Sequence, residues 1–163
     1  MENKKRTIRQ RRSPEERAEQ FEVQIMLQIK KYIENGSKGD LDLSETPIKS
    51  IPKELTYVEG DLILQGCKSL TSLPDNLKVD GSLNLDGCKN LTSLPDNLQV
   101  DGGLSLYGCE SLTSLPDTLH VKGNVYVDKI FNINPYRKEV LFIRAFNGEQ
   151  VLIIEGEVIA TNL

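Results

Sequence analysis

Leu70 to Leu77 (LTSLPDNL), Leu91 to Leu98 (LTSLPDNL) and Leu112 to Leu119 (LTSLPDTL) are nearly the same eight residues, set 21 residues apart. A fixed period of that length restricts the chain to architectures that lay one short unit against the next, a solenoid above all. Gly39, Gly60, Gly81, Gly102 and Gly123 keep the same 21-residue interval and open the runs DLDLS, DLILQ, SLNLD, GLSLY and NVYVD. An aliphatic residue alternates with its neighbours in each run, as in a half-buried strand with one face in and one face out. Five rungs are expected, two more than the octapeptides alone announce.

After the middle strands come Gly66-Cys67, Gly87-Cys88 and Gly108-Cys109, then two spacers and the next leucine of the octapeptide. The first rung is irregular: Thr46-Pro47-Ile48 replaces the cysteine turn, and an extra residue near Thr56 restores the spacing. In the third rung the inward set is Leu77, Val79, Leu83, Leu85, Cys88, Leu91 and Leu94. So few apolar side chains do not offset the entropy of ordering a whole rung, so each rung depends on burial and strand hydrogen bonds shared with its neighbours. Both open ends of such a stack need covers.

The pattern L-x-L-x-x-C-x-x-L followed by S-L-P, as in Leu83, Leu85, Cys88, Leu91 and then Ser93-Leu94-Pro95, resembles a leucine-rich repeat of the short bacterial and bacteriophage kind. The resemblance covers about residues 39 to 131. It implies a right-handed superhelix with a parallel sheet on the concave side and turn-like segments such as LPDNL on the convex side. It also implies protein binding as the usual activity, without naming a partner.

The flanks read as the covers. Ser13-Pro14-Glu15-Glu16 is a helix start, with Ser13 as N-cap, Pro14 at the first helical position and Glu16 completing a capping box. Asn35-Gly36 ends the helix. Ala18, Phe21, Ile25, Met26, Ile29, Tyr32 and Ile33 form one broad apolar stripe expected to lie across the first rung. The helix is somewhat longer than one rung can hide, and Val23 and Leu27 fall outside the stripe, either as scattered surface aliphatics or as a second contact. Downstream, Val140 to Phe146, the turn Asn147-Gly148 and Gln150 to Ile154 read as a hairpin, with Glu157 to Ala160 completing a small antiparallel meander over the last rung. The organisation expected is a basic arm (1–12), a capping helix (13–36), five rungs (39–131) and a C-terminal β cap (132–163).

Cys67, Cys88 and Cys109 are one structural position repeated. Parallel side chains in adjacent rungs suit disulfide geometry poorly, so each reads as a small inward hydrophobe with a weak donor for the turn backbone. Free buried thiols favour a reducing compartment. His120 is the only histidine and occupies a variable outward position, with no nucleophile set beside it to form a triad. Neither a catalytic residue nor a resident metal or cofactor is expected. No apolar run is long enough to span a membrane, and the charged N-terminus does not resemble a secretory signal. The cytoplasm is the expected location; a protein delivered into a host cytoplasm, or secreted without a cleaved signal, would look the same.

The outward strand positions form three rows: Asp40, Asp61, Ser82, Gly103, Asn124; Asp42, Ile63, Asn84, Ser105, Tyr126; and Ser44, Gln65, Asp86, Tyr107, Asp128. These rows hold five aspartates and no lysine or arginine. A negative field with Ile63, Tyr107 and Tyr126 set in it suits a basic or hydrogen-bonding protein surface. Asp40 and Asp61, on neighbouring rungs, also raise a cation site or a carboxylate pair, although no walls enclose them. Lys4, Lys5, Arg6, Arg9, Arg11 and Arg12 against Glu2 give the arm +5, leaving −9 on the remainder of a chain of net charge −4. A solvated tail, a weak nonspecific grip on nucleic acid and a contact with the acidic rows all fit such an arm. The reading that joins these features is a non-enzymatic protein-binding module, monomeric or weakly self-associating, whose concave face meets an unidentified protein. Its rivals are a nucleic-acid-associated protein tethered by the arm and a structural protein that assembles through Val23, Leu27 and the C-terminal hairpin.

Overall fold

The computed structural model describes residues 13–116, 118–127 and 158–160. Its elements are α1 (Pro14–Glu34), β1 (Leu41–Asp42), β2 (Tyr57–Val58), β3 (Leu62–Ile63), β4 (Lys78–Val79), β5 (Leu83–Asn84), β6 (Gln99–Val100), β7 (Leu104–Ser105), β8 (His120–Val121), β9 (Val125–Val127) and β10 (Val158–Ala160). The strands make two sheets, ordered β1-β3-β5-β7-β9-β10 and β2-β4-β6-β8. Every pairing is parallel, and Leu41, Leu62, Leu83, Leu104 and Val125 follow one another as register partners. The described residues therefore form a parallel β-solenoid of about four turns with one helix at its N-terminal end. The five expected rungs supply β1, β3, β5, β7 and β9. The second sheet falls on the residues just before each glycine, which the alternating runs did not include.

Two glycine columns set the path of each coil. At the corner between the two sheets, Gly81 N–H donates to the Gly60 carbonyl at 3.1 Å, and a Cβ on Gly81 would lie 2.6 Å from Gly60 backbone atoms. Successive coils touch there backbone to backbone, so no side chain fits. Beyond the first-sheet strands, Gly66, Gly87 and Gly108 adopt φ of 72°, 71° and 69°, a left-handed conformation that other residues enter only at a cost. Glu45 holds the same place in the irregular first rung, with φ 56°.

The interior is a continuous aliphatic column. The seven inward residues of the third rung are all buried, and the column continues into the neighbouring rungs, where Leu115 is only partly covered. The cysteines complete the column in a specific way. Cys67, Cys88 and Cys109 Sγ donate to the carbonyls of Leu43, Leu64 and Leu85 at 3.1, 3.2 and 3.2 Å. In the first rung, Thr46 stands at the cysteine position and donates within its own coil, from Oγ1 to the same Leu43 carbonyl at 2.7 Å.

The helix is capped as its sequence predicts. Ser13 Oγ accepts the Glu16 N–H at 3.1 Å, and Glu16 Oε2 accepts the Ser13 N–H at 2.8 Å. At the other end, Gly36 N–H bonds the Ile33 carbonyl and Ser37 N–H the Tyr32 carbonyl, a Schellman closure with Gly36 at φ 81°. Ile25 and Ile29 enter the core, and Met26, Tyr32 and Ile33 pack against it. Polar side chains complete the cover: Gln28 donates to the Asp42 carbonyl at 3.2 Å, and the Tyr32 hydroxyl lies 2.8 and 2.7 Å from the Ser37 and Gly39 carbonyls. The N-terminal part of the apolar stripe is not used, since Ala18 and Phe21 are exposed. The helix runs past the coil it covers.

At the C-terminal end the expected antiparallel meander is corrected in part. β10 joins β9 in parallel, with Val158, Ile159 and Ala160 opposite Val125, Tyr126 and Val127. It extends the solenoid sheet by a sixth strand. The Asn147-Gly148 turn and the runs beside it lie outside the described residues. No helix among the described residues is long and apolar enough to cross a membrane.

Candidate functional site

The parallel register places the outward residues of the first sheet in columns, so side chains far apart in sequence become neighbours. Asp40, Asp42 and Gln65 are exposed, whereas Asp61, Ile63, Asn84, Asp86, Ser105, Tyr107 and Tyr126 are half-buried against one another. All of these residues share one sheet face. Asp128 and the arm residues Lys4, Lys5, Arg6, Arg9, Arg11 and Arg12 lie outside the described residues. Among the described residues, this face carries no cation.

Much of its acidity is already engaged in holding the coils together. Asp40 Oδ1 accepts the Asp61 N–H at 2.8 Å, Asp61 Oδ1 accepts the Ser82 N–H at 2.7 Å, and Ser82 Oγ accepts the Gly103 N–H at 3.1 Å. The first row is thus a ladder in which each side chain caps the backbone of the next coil. In the third row, Asp86 Oδ1 accepts both the Ser105 hydroxyl at 2.6 Å and the Tyr107 N–H at 2.9 Å. Asp42 accepts the Ser44 N–H at 2.9 Å, and hydrogen bonds from Ser44 hold its carboxyl below the usual range. All of these donors are neutral N–H and O–H groups, so the bonds do not cancel the formal negative charge of the face.

Tyr107 and Tyr126 meet at the far end of these rows, their ring centroids 6.3 Å apart and tilted by 47°. Gly103 stands beside the pair in the first row, where other coils carry Asp61 and Ser82. A Cβ on Gly103 would approach the Tyr126 ring to 3.6 Å. Ser105 lies beside them, held to Asp86. The sequence placed Gly103 in the first row without giving it a role; its signal is the loss of a side chain where Asp40, Asp61 and Ser82 cap backbone.

The outward face of the second sheet is charged but self-neutralised. Asp80 accepts the Tyr57 hydroxyl at 2.6 Å and pairs with Lys78 at 2.6 Å, while Asp101 pairs with Lys122 at 2.8 Å. The Lys78 ammonium also lies 5.5 Å over the Tyr57 ring. The hydrogen bond to Asp80 pushes the Tyr57 hydroxyl up to about 12, and the bonds from Lys78 and Tyr57 lower the Asp80 carboxyl. His120 extends this sheet as an exposed residue of β8.

Burial pushes the Cys88 thiol up to about 12, and the Cys67 thiol rises for the same first reason. All three cysteines are buried, and none forms a disulfide among the described residues. Asp40 and Asp61 bond forward along the ladder, and no cluster of three or more histidine, cysteine or acidic side chains able to hold a metal occurs among the described residues. No family model matches the chain, and no curated protein or solved structure matches it.

Proposed function

We propose that this chain is a protein-binding module without enzymatic activity, a short leucine-rich repeat of the bacterial and bacteriophage type. The outward, concave face of its first sheet is the docking surface, and a basic or hydrogen-bonding protein surface is the partner. The observation that carries this reading is the half-buried pair Tyr107–Tyr126, set beside the Asp86 carboxylate on a face without cations. Rigid aromatic rings ringed by polar groups are the usual anchors of protein contacts, and the acidic rows steer a basic partner toward them. The buried thiols suit a reducing cytosol.

The test is affinity capture from native cells with the full chain and with Tyr107→Ala plus Tyr126→Ala as bait. Loss of a retained protein from the variant supports the reading. Retention that survives this variant and disappears on deleting residues 1–12 overturns it in favour of the basic arm. Charge reversal at Asp61 or Asp86 is a poor probe, because both residues also cap backbone N–H groups of the next coil.

A further inference from the structure

The acidic face of the first sheet and the basic residues 1–12 belong to one chain, and the course of α1 brings them within reach of each other. Tyr32 bonds the Gly39 carbonyl and Gln28 the Asp42 carbonyl, so α1 runs antiparallel to β1. Its N-terminus leads past the Ser44 end of the first coil, where Ala18 and Phe21 are exposed. From Gln28 back to Ser13 is about 22 Å along the helix. Asp86 lies two coils on from Asp42, about 10 Å across the sheet. Counted back from Ser13, an extended chain reaches about 23 Å at Arg6 and about 30 Å at Lys4. Lys4, Lys5 and Arg6 are therefore at the distance of Asp42, Asp61 and Asp86, whereas Arg9, Arg11 and Arg12 are too close to Ser13 to span the gap.

We propose that residues 1–12 fold back over the first-sheet face of their own chain and shield it, so that an outside partner binds only by displacing them. The inference rests on the docking reading above and adds its regulation. Charge complementarity chooses the occupant. Residues 1–12 carry +5, while Asp40, Asp42, Asp61 and Asp86 share a face with no cation among the described residues. The start of α1 is a poorer seat for these cations, because the N-terminus of a helix is its positive end and Glu16 is already engaged by the Ser13 N–H. Exposed ion pairs contribute little attraction one by one. A short tether, however, holds its segment at an effective concentration of about a millimolar, so a few such pairs suffice within one chain and fail between dilute copies. Residues 1–12 contain no aromatic side chain to pack on Tyr107 and Tyr126. A basic partner that does fill the tyrosine pair therefore outcompetes them.

Paramagnetic broadening in the full chain reads the contact directly. Asn3→Cys takes a nitroxide at that position alone, because the native cysteines are buried. The expected result is loss of amide intensity at Ser82, Ser105 and Tyr107 of the first-sheet face, with Lys78, Gln99 and His120 of the second sheet unaffected. The loss should vanish at about 1 M salt, where the screening length falls to about 3 Å. It should also vanish when Lys4, Lys5 and Arg6 are replaced by Gln, a variant that changes no described residue. Mixing nitroxide-bearing chains with isotope-labelled chains that lack the nitroxide isolates contacts between copies, and no broadening should appear there. In affinity capture the Gln variant should retain more of a Tyr107- and Tyr126-dependent partner than the parent. Sharp first-sheet amides at low salt overturn the inference, as does broadening found only between copies or capture that does not rise in the Gln variant. Sharp amides together with binding of a short DNA duplex that the Gln variant loses assign the basic residues to phosphate contacts instead. Broadening within one chain, with no partner captured by either form, supports the contact and overturns the docking reading; sharp amides with Tyr-dependent capture do the reverse.

Discussion

Asp61 Oδ1 accepts the backbone N–H of Ser82, its neighbour one coil later, at 2.7 Å. A carboxylate on the outward face is thus also a brace between coils. Removing it leaves a half-buried N–H without an acceptor, a loss of about 2 kcal/mol for a bond to a charged group. Asp61→Ala should lower unfolding stability by that amount in denaturant titration. Asp61→Asn, which keeps an acceptor oxygen, should lose about half as much. Equal stability of Asp61→Ala and the parent would remove the brace from the account.

The two glycine types on the same face predict opposite tolerances. Gly81→Ala drives a Cβ to 2.6 Å from Gly60 backbone, and forcing the coils apart should cost about 3 kcal/mol or more. Gly103→Ala meets only the Asn124 carbonyl at 3.4 Å and the Tyr126 ring at 3.6 Å. It should fold with less than about 1 kcal/mol lost, because these distances are ordinary van der Waals contact. Thermal unfolding of the two variants checks the contrast.

The thiols set an alkaline limit. Cys88 titrates near 12 in the fold and about 8.5 in an unfolded chain, so folding is favoured fully below the unfolded value. That contribution should fade as pH rises from about 8.5 toward 12, and the raised Tyr57 hydroxyl acts in the same direction above about 10. A disulfide reagent at pH 8 should find no reactive thiol in the folded protein and all three in denaturant. Rapid labelling of the folded chain would contradict the burial assigned to the cysteine column.

On the acid side, the carboxyls of Asp42 and Asp80 are lowered by their hydrogen bonds. Their contribution is present above the unfolded value of about 3.9 and lost as pH falls below it. Stability should therefore be flat from about pH 5 to 8 and decline on both sides. A maximum below pH 4 in a denaturant series would reverse the sign assigned to these two groups.

The features legible in the sequence were those written in every coil. The period, the inward leucines, the cysteine column and the capping box at Ser13 and Glu16 each repeat a local rule or obey one. The second sheet was not legible, because Leu77-Lys78-Val79 alternates over only three residues, where the runs of the first sheet alternate over five. The duties of Asp40, Asp61 and Asp86 were hidden for a different reason: their acceptors cap N–H groups about 21 residues away, and a residue's identity does not say which of its atoms are already engaged. The helix stripe indicated which side of α1 is apolar but not how far the first coil extends beneath it, so Ala18 and Phe21 emerge exposed. β10 pairs with β9 across more than thirty residues, a non-local choice that leaves no local mark.

The central claim is that successive 21-residue units coil in register. Native-state amide exchange tests it most directly. The N–H groups of Leu62, Leu83 and Leu104 donate to Ser82, Gly103 and Asn124 carbonyls of the following coil at 2.9 Å each. These amides should be slow to exchange together, along with Leu64 and Leu85, as one cooperative set repeating at the sequence period. Exchange of Leu62, Leu83 and Leu104 at the rate of unstructured chain would contradict the stacking on which the columns, the tyrosine pair and the docking face all depend.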